Sequence, residues 1–258
     1  MLDEIKSELV NLEKDKNIKI LYAVESGSRA WGFESKDSDW DVRFFYVHQY
    51  DWYLSIDDKK DNIEKMLPND LDLSGWELKK ALFLFRKSNP PLLEWLRSPI
   101  IYKEEYTTAA QLRNAVKSYF NPKSCLYHYL HMANGNYEAY FKNEVVKLKK
   151  YFYVLRPILA GCWIERTNEM APMEFDILLD AEISDLVLKN EINNLLLKKK
   201  NGDELKTGNR IKVIDDFILE KLNHFKILLA DFKFNNSISN DLLNTIFRNT
   251  LKEVWTNN

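Results

Sequence analysis

Thiols are scarce: Cys125 and Cys162 are the two cysteines in 258 residues. They lack metal-ligand spacing and suggest no disulfide framework, so both are read as reduced. Histidine numbers only four. His128 and His131 lie three apart on an expected helix, but no third ligand accompanies them, and they are read as satisfied or solvent-facing. No Ser/His/Asp or Cys/His set is apparent, which turns the reading away from hydrolases. No uninterrupted apolar stretch is long enough to span a bilayer, and the opening Met-Leu-Asp-Glu-Ile-Lys-Ser-Glu carries charge where a signal peptide needs an apolar core. A cytoplasmic protein with no membrane partner is expected. Net charge is nearly absent as well, at -2, so nothing draws the whole chain toward nucleic acid or an anionic membrane. Internal repeats and low-complexity tracts are also missing.

What is present describes a globular protein. A hydrophobic content of 45% with 13% aromatics supplies a core for one large or two modest domains. Charge is local. Between residues 110 and 160 the bases Arg113, Lys117, Lys123, Lys142, Lys147, Lys149, Lys150 and Arg156 face only Glu138 and Glu144. Such a segment can meet phosphates, or it can be a solvated helix face.

The chemistry concentrates between residues 25 and 43. The apolar run Ile18 to Val24 reads as a strand and delivers the chain into a turn holding Gly27 and Ser28. Short side chains there let backbone N–H groups approach a phosphate. Val42, Phe44, Phe45, Tyr46 and Val47 form a second strand, headed by Asp39 and Asp41 on either side of Trp40. Alternation along a strand puts both carboxylates on one face, with Arg43 continuing it. Two acids on one face repel, and a divalent cation removes the conflict; Mg²⁺ commonly sits between one or two carboxylates and substrate phosphates.

At these residues the chain resembles the DNA polymerase beta nucleotidyltransferase superfamily, whose signature is Gly-Ser or Gly-Gly, a short spacer, and two acids separated by one residue on a strand. The strings Glu25-Ser26-Gly27-Ser28-Arg29-Ala30-Trp31-Gly32 and Ser38-Asp39-Trp40-Asp41-Val42-Arg43 more closely resemble its YcgL-like branch, found in bacteria and phages and associated with predicted RNA-repair pathways. The likeness is specific over roughly residues 20 to 100 and recurs near 144 to 157. It implies an α+β fold, with a polymerase-beta-like nucleotidyltransferase head of short mixed sheet and helices over residues 1–105. An all-helical domain over 106–258 would complete the cleft for nucleotide and acceptor.

The resemblance also implies a reaction: transfer of an NMP from an NTP to a hydroxyl, with release of pyrophosphate. Gly27 and Ser28 are then expected to hold the β and γ phosphates, while Asp39 and Asp41 bind two Mg²⁺ or Mn²⁺ ions. A third carboxylate is implied from a neighbouring strand and is assigned to Asp72, with Asp70 as the alternative. Arg29, Arg43, Lys147 and Lys150 are secondary candidates for phosphate contact. An RNA 3′ end is the favoured acceptor, followed by a protein hydroxyl and then a small molecule such as an aminoglycoside. A nucleotide-binding sensor or regulator without turnover is the competing class. The preferred NTP and the oligomeric state stay open.

The rest of the chain is read around that head. Leu2 to Lys14 has Ile5, Leu9 and Leu12 at helical spacing and is expected to cover one face of the sheet. Within residues 49 to 69, the charged stretch Asp57-Asp58-Lys59-Lys60-Asp61 reads as a turn between short elements. Ser74 and Glu77 fit a capping box, which would place Asp72 at a strand end just before a helix. Residues 98 to 102 look like a closing strand. Helices are expected over 107–119 and 122–141, and then along Val145, Leu148, Phe152, Leu155 and Leu159, a stripe that puts Lys147 and Lys150 on one flank. Helices over 181–198, 208–233 and 239–256 complete the chain, with an exposed turn at Gly202.

Overall fold

The computed structural model describes residues 1–201, 207–233 and 239–256. Helix α1 (Leu2–Lys16) ends at Asn17 in a left-handed cap, and strand β1 (Ile18–Glu25) follows at once. A single turn, α2 (Gly27–Ala30), and a loop lead to β2 (Trp40–His48). After α3 (Tyr50–Tyr53) come β3 (Asn62–Leu67), β4 (Leu71–Glu77), helices α4 (Leu78–Arg86) and α5 (Pro90–Trp95), and β5 (Ile101–Glu104). The five strands form one mixed sheet in the order β3-β4-β2-β1-β5, in which β2 and β4 run parallel and the other neighbours antiparallel.

Alternation sorts the two faces of this sheet. Val42, Phe44 and Tyr46 pack with Ile5, Leu9 and Leu12 of α1, as the helical spacing predicts. Asp41, Arg43 and Phe45 occupy the opposite face, where Phe45 stacks on Trp95 and Trp95 on Trp76. Aromatic packing thus closes one end of that face and leaves the acids at the other.

Strand β4 departs from the sequence reading. It continues through the expected capping box, and Glu77, not Ser74, caps α4 by accepting from the Lys79 and Lys80 N–H groups at 2.7 and 3.4 Å. The buried alternation of Leu71, Leu73 and Gly75 outweighs the local cap pattern. Gly75 is required there, because a Cβ would stand 2.1 Å from a Phe44 ring carbon. Asp72 therefore lies near the start of a strand. The charged stretch 57–61, read as a turn between short elements, connects α3 to β3, an edge strand.

The chain separates into two compact units. One comprises Met1–Ala30, Asp39–Phe120 and Asn235–Asn258; the other Trp31–Ser38 and Asn121–Phe234. The division expected after residue 105 therefore shifts. Helices α6 (Thr108–Tyr119) and α12 (Asp241–Trp255) belong with the sheet, joined by a Thr108–Thr250 hydroxyl pair at 2.8 Å and by Glu253, which accepts from the Thr107 N–H. Trp255 Nε1 also donates to the His48 carbonyl at 2.9 Å.

The second unit holds α7 (Pro122–Tyr140), α8 (Lys150–Thr167), α9 (Phe175–Glu182), α10 (Leu186–Lys200) and α11 (Lys212–Leu228), with a short ribbon of β6 (Val145–Val146) and β7 (Gly208–Asn209). Residues expected to begin the third long helix are thus partly strand. Helix α9 starts at Phe175, ahead of the helix expected over 181–198, and the turn expected at Gly202 lies outside the described residues. Phe33 from the motif loop packs among Phe152 and Phe175, and the Phe175 N–H donates to the Trp31 carbonyl at 2.9 Å.

His48 supplies a pH handle on the sheet unit. Its ring stacks on Trp52 at 4.1 Å, and burial, aided by the Lys59 charge, lowers its pKa to about 4. A histidine held neutral contributes stability that is present above its unfolded value of about 6.5 and is lost as pH falls through the folded value. Acidification from pH 6.5 to 4 is expected to cost roughly 2 kcal/mol through this group, allowing for its partial exposure. His48→Phe keeps a stacking ring, and urea titrations across that window should show the increment missing from the variant.

Candidate active site

Strand β1 ends at Glu25, and the chain turns through Gly27 with φ +59°, a conformation that L side chains rarely adopt. A second constraint acts on the same residue: a Cβ there would lie 2.1 Å from Asp41 Oδ2. Glycine is needed both for the turn and for the close approach of the Asp41 carboxylate. The Ser26 N–H donates to the Asp41 carbonyl at 2.8 Å, tying the turn to the head of β2.

Asp41 stands opposite Asp72 in the parallel β2–β4 register. The Arg43 guanidinium joins them, 2.9 Å from Asp41 Oδ1 and 2.8 Å from Asp72 Oδ2, and also donates to the Asp72 carbonyl at 3.1 Å. Arg43 was a candidate for phosphate contact; in this structure it is the counter-ion of the two acids. Burial raises the pKa of Asp41, the Arg43 charge opposes that shift, and Asp72 and Asp39 reinforce it.

Asp39 lies just ahead of β2 and is exposed. Its carbonyl accepts from Arg29 Nε at 3.1 Å, and the Arg29 guanidinium stacks 3.7 Å from the Trp40 ring. Ser28 sits in α2 beside Gly27. Asp70 occupies the β3–β4 turn at φ 56°, and its carbonyl accepts from the Trp40 N–H at 2.8 Å, so of the two candidates only Asp72 is held in the strand beside Asp41. Lys147 and Lys150 belong to the second unit. Lys147 precedes α8 rather than sharing a helical flank with Lys150, whose ammonium lies 4.2 and 4.4 Å from the Tyr140 and Tyr153 rings.

Sequence reasoning missed Glu25 as part of this cluster. It is fully buried; Oε1 accepts from the Asp41 N–H at 2.8 Å and Oε2 from the Tyr102 hydroxyl. Burial raises its pKa to about 7. The available signal was a carboxylate closing an otherwise apolar strand.

A scan of family models matches residues 1–249 to the RNA repair pathway DNA polymerase beta family. This chain belongs to that family. Its architecture is α+β, with a five-stranded mixed sheet and a largely helical remainder. Across 99% of the chain it is 47% identical to the "Uncharacterized protein YcgL" of Bacillus subtilis (strain 168), of which 98% is covered. A nucleotidyltransferase-like protein of known structure from Exiguobacterium sibiricum shares 12% identity, covering 95% of this chain and 80% of that one with a TM-score of 0.30.

In this member of the RNA repair polymerase beta family, the donor set suits a hard cation. Asp41 Oδ2 and Asp72 Oδ1 are the oxygens that Arg43 does not engage. Among the described residues, no three His, Cys, Asp or Glu side chains are grouped to hold a metal ion by themselves. Mg²⁺ needs only one or two carboxylates when substrate phosphates complete its shell, so the residues present fit it. Among the described residues no helix is long and apolar enough to cross a membrane.

Proposed function

We propose that this protein is a metal-dependent nucleotidyltransferase that moves an NMP from an NTP to the 3′ hydroxyl of an RNA end, releasing pyrophosphate. The observation that carries the reading is the Gly27 turn pressed against an Asp41 carboxylate paired with Asp72, in a chain of the RNA repair polymerase beta family. Backbone N–H groups at Gly27 and Ser28 hold the triphosphate, where the missing Cβ permits close approach. Asp41 and Asp72 would hold Mg²⁺ or Mn²⁺ together with the substrate phosphates, and Asp39, exposed just ahead of β2, is a further candidate ligand. When bound, these ions offset charge on the attacking and leaving oxygens and make the acceptor hydroxyl more acidic.

The acceptor oxygen forms a bond to the α-phosphorus as the bond to the β-phosphate oxygen breaks, and pyrophosphate carries away the electron pair. Asp72 accepts the hydroxyl proton through the oxygen that Arg43 leaves open. Arg43 keeps the two carboxylates at a fixed spacing, and Arg29 meets the phosphates from its platform on Trp40.

The test is transfer of label from each α-³²P-labelled NTP, with Mg²⁺ or Mn²⁺, into separate pools of RNA and protein. Label in RNA with loss of pyrophosphate is expected. Label confined to protein would reassign the acceptor. Metal-dependent NTP binding without any transfer would instead make the protein a nucleotide sensor.

A further inference from the structure

We propose that Glu25 is a positioning residue of the transfer site, holding the Asp41 main chain so that its carboxylate stays against the Gly27 turn. The inference rests on the nucleotidyl transfer reading and adds a role for a residue outside the expected site.

Glu25 is fastened from several directions. Its own N–H donates to the Ile100 carbonyl at 2.9 Å, and its carbonyl accepts from Ser98 Oγ at 2.6 Å. Both side-chain oxygens are engaged, one by the Asp41 N–H at 2.8 Å and the other by the Tyr102 hydroxyl. The β1–β2 register runs to the Glu25↔Val42 pair; beyond it the Ser26 N–H reaches the Asp41 carbonyl, while the Asp41 N–H donates to the Glu25 side chain. An acid buried at 0% exposure beside Asp41 is a costly way to satisfy one amide, since Asp41 itself repels it. What the carboxylate gives in return is two acceptor oxygens, which lock the head of β2 to β5 through Tyr102. The Asp41 peptide is thereby fixed from the amide side by Glu25 and from the carbonyl side by Ser26. The carboxylate has little freedom left. Groups that orient a metal-binding carboxylate commonly change metal affinity by about 10–100-fold when removed.

The experiment compares full-length wild type, Glu25→Gln, Glu25→Asp, Glu25→Ala and Leu9→Ala. Mn²⁺ affinity is read by electron paramagnetic resonance in the presence of a non-hydrolysable NTP, and exchange of the Asp41 amide hydrogen is read by NMR. Glu25→Gln keeps an acceptor for the Asp41 N–H and is expected to bind Mn²⁺ within about threefold of wild type. Glu25→Asp draws the carboxylate back by one methylene and is expected to lose about tenfold in affinity, with faster exchange at Asp41. Glu25→Ala should lose more; if it does not fold, the Asp variant decides. Leu9→Ala lowers stability from the opposite face of the sheet and should leave Mn²⁺ affinity unchanged, which separates positioning from general destabilisation. Wild-type affinity and wild-type Asp41 exchange in Glu25→Asp would overturn the inference. If wild type binds neither Mn²⁺ nor nucleotide, the transfer reading falls, and the Asp41 exchange rates alone decide whether Glu25 holds that amide.

Discussion

Asp41→Asn is expected to lower the proposed nucleotidyl transfer by more than about a hundredfold while the protein stays folded. The magnitude follows from the proposed role of Asp41 in holding the cation: loss of a group that only orients a metal ligand costs about 10–100-fold, so loss of a ligand charge would cost at least as much. The fold is expected to survive because asparagine keeps the shape and keeps an oxygen for Arg43. Burial already raises the Asp41 pKa, so a neutral replacement relieves an electrostatic cost instead of creating one. Transfer rates and melting temperature measured on one preparation separate the two effects. A variant that stays folded and transfers at the wild-type rate would remove Asp41 from the site.

Gly27→Ala is expected to produce a comparable loss through geometry alone. The added methyl group would arrive 2.1 Å from Asp41 Oδ2, far inside van der Waals contact, at a residue already in left-handed backbone. The conformational part costs about 1–3 kcal/mol. The steric part is met chiefly by a side-chain oxygen, which can swing away, so the chain remains folded while the carboxylate leaves its place. Loss of transfer by about a hundredfold is expected because misplacing a reacting group by around 1 Å has that scale of effect. Circular dichroism and labelled transfer check this together, and native activity in a folded Gly27→Ala protein would mean that the close approach has no catalytic use.

The head was legible in the sequence where two independent signals coincided. Strands β1 and β2 showed as apolar runs, and the Gly27 turn and the Asp39–Asp41 pair between them carried a family signature. Helix α1 showed as a periodic stripe, and its packing on Val42 and Phe44 follows from that stripe. Strand β4 was misread because a capping pattern at Ser74 and Glu77 is a local signal, whereas the alternation of Leu71, Leu73 and Gly75 matters only once β2 lies alongside. The Arg43 bridge was hidden for the same reason: Asp41 and Asp72 are neighbours only across the parallel register. Glu25 was visible as a letter, but its task depends on Tyr102, which reaches it from the other side of β1. The unit boundary escaped because α12 is an ordinary amphipathic helix by sequence, and the Thr108–Thr250 and His48–Trp255 hydrogen bonds that return it to the sheet span more than a hundred residues.

That return has a consequence for how the protein is made. Neither compact unit is a continuous stretch of chain, since the sheet unit takes its closing helix from after the helical unit and lends residues 31–38 to it. On a ribosome adding about 5–20 residues per second, the sheet strands, which end at Glu104, emerge about 8–30 s before α12 (Asp241–Trp255) is available to cover His48 and α6. During that interval the nascent sheet unit lacks the helix that bonds to Thr108 of α6 and to the His48 carbonyl. Expression of residues 1–120 as a separate fragment would therefore yield the strands and the acids without the support that completes them.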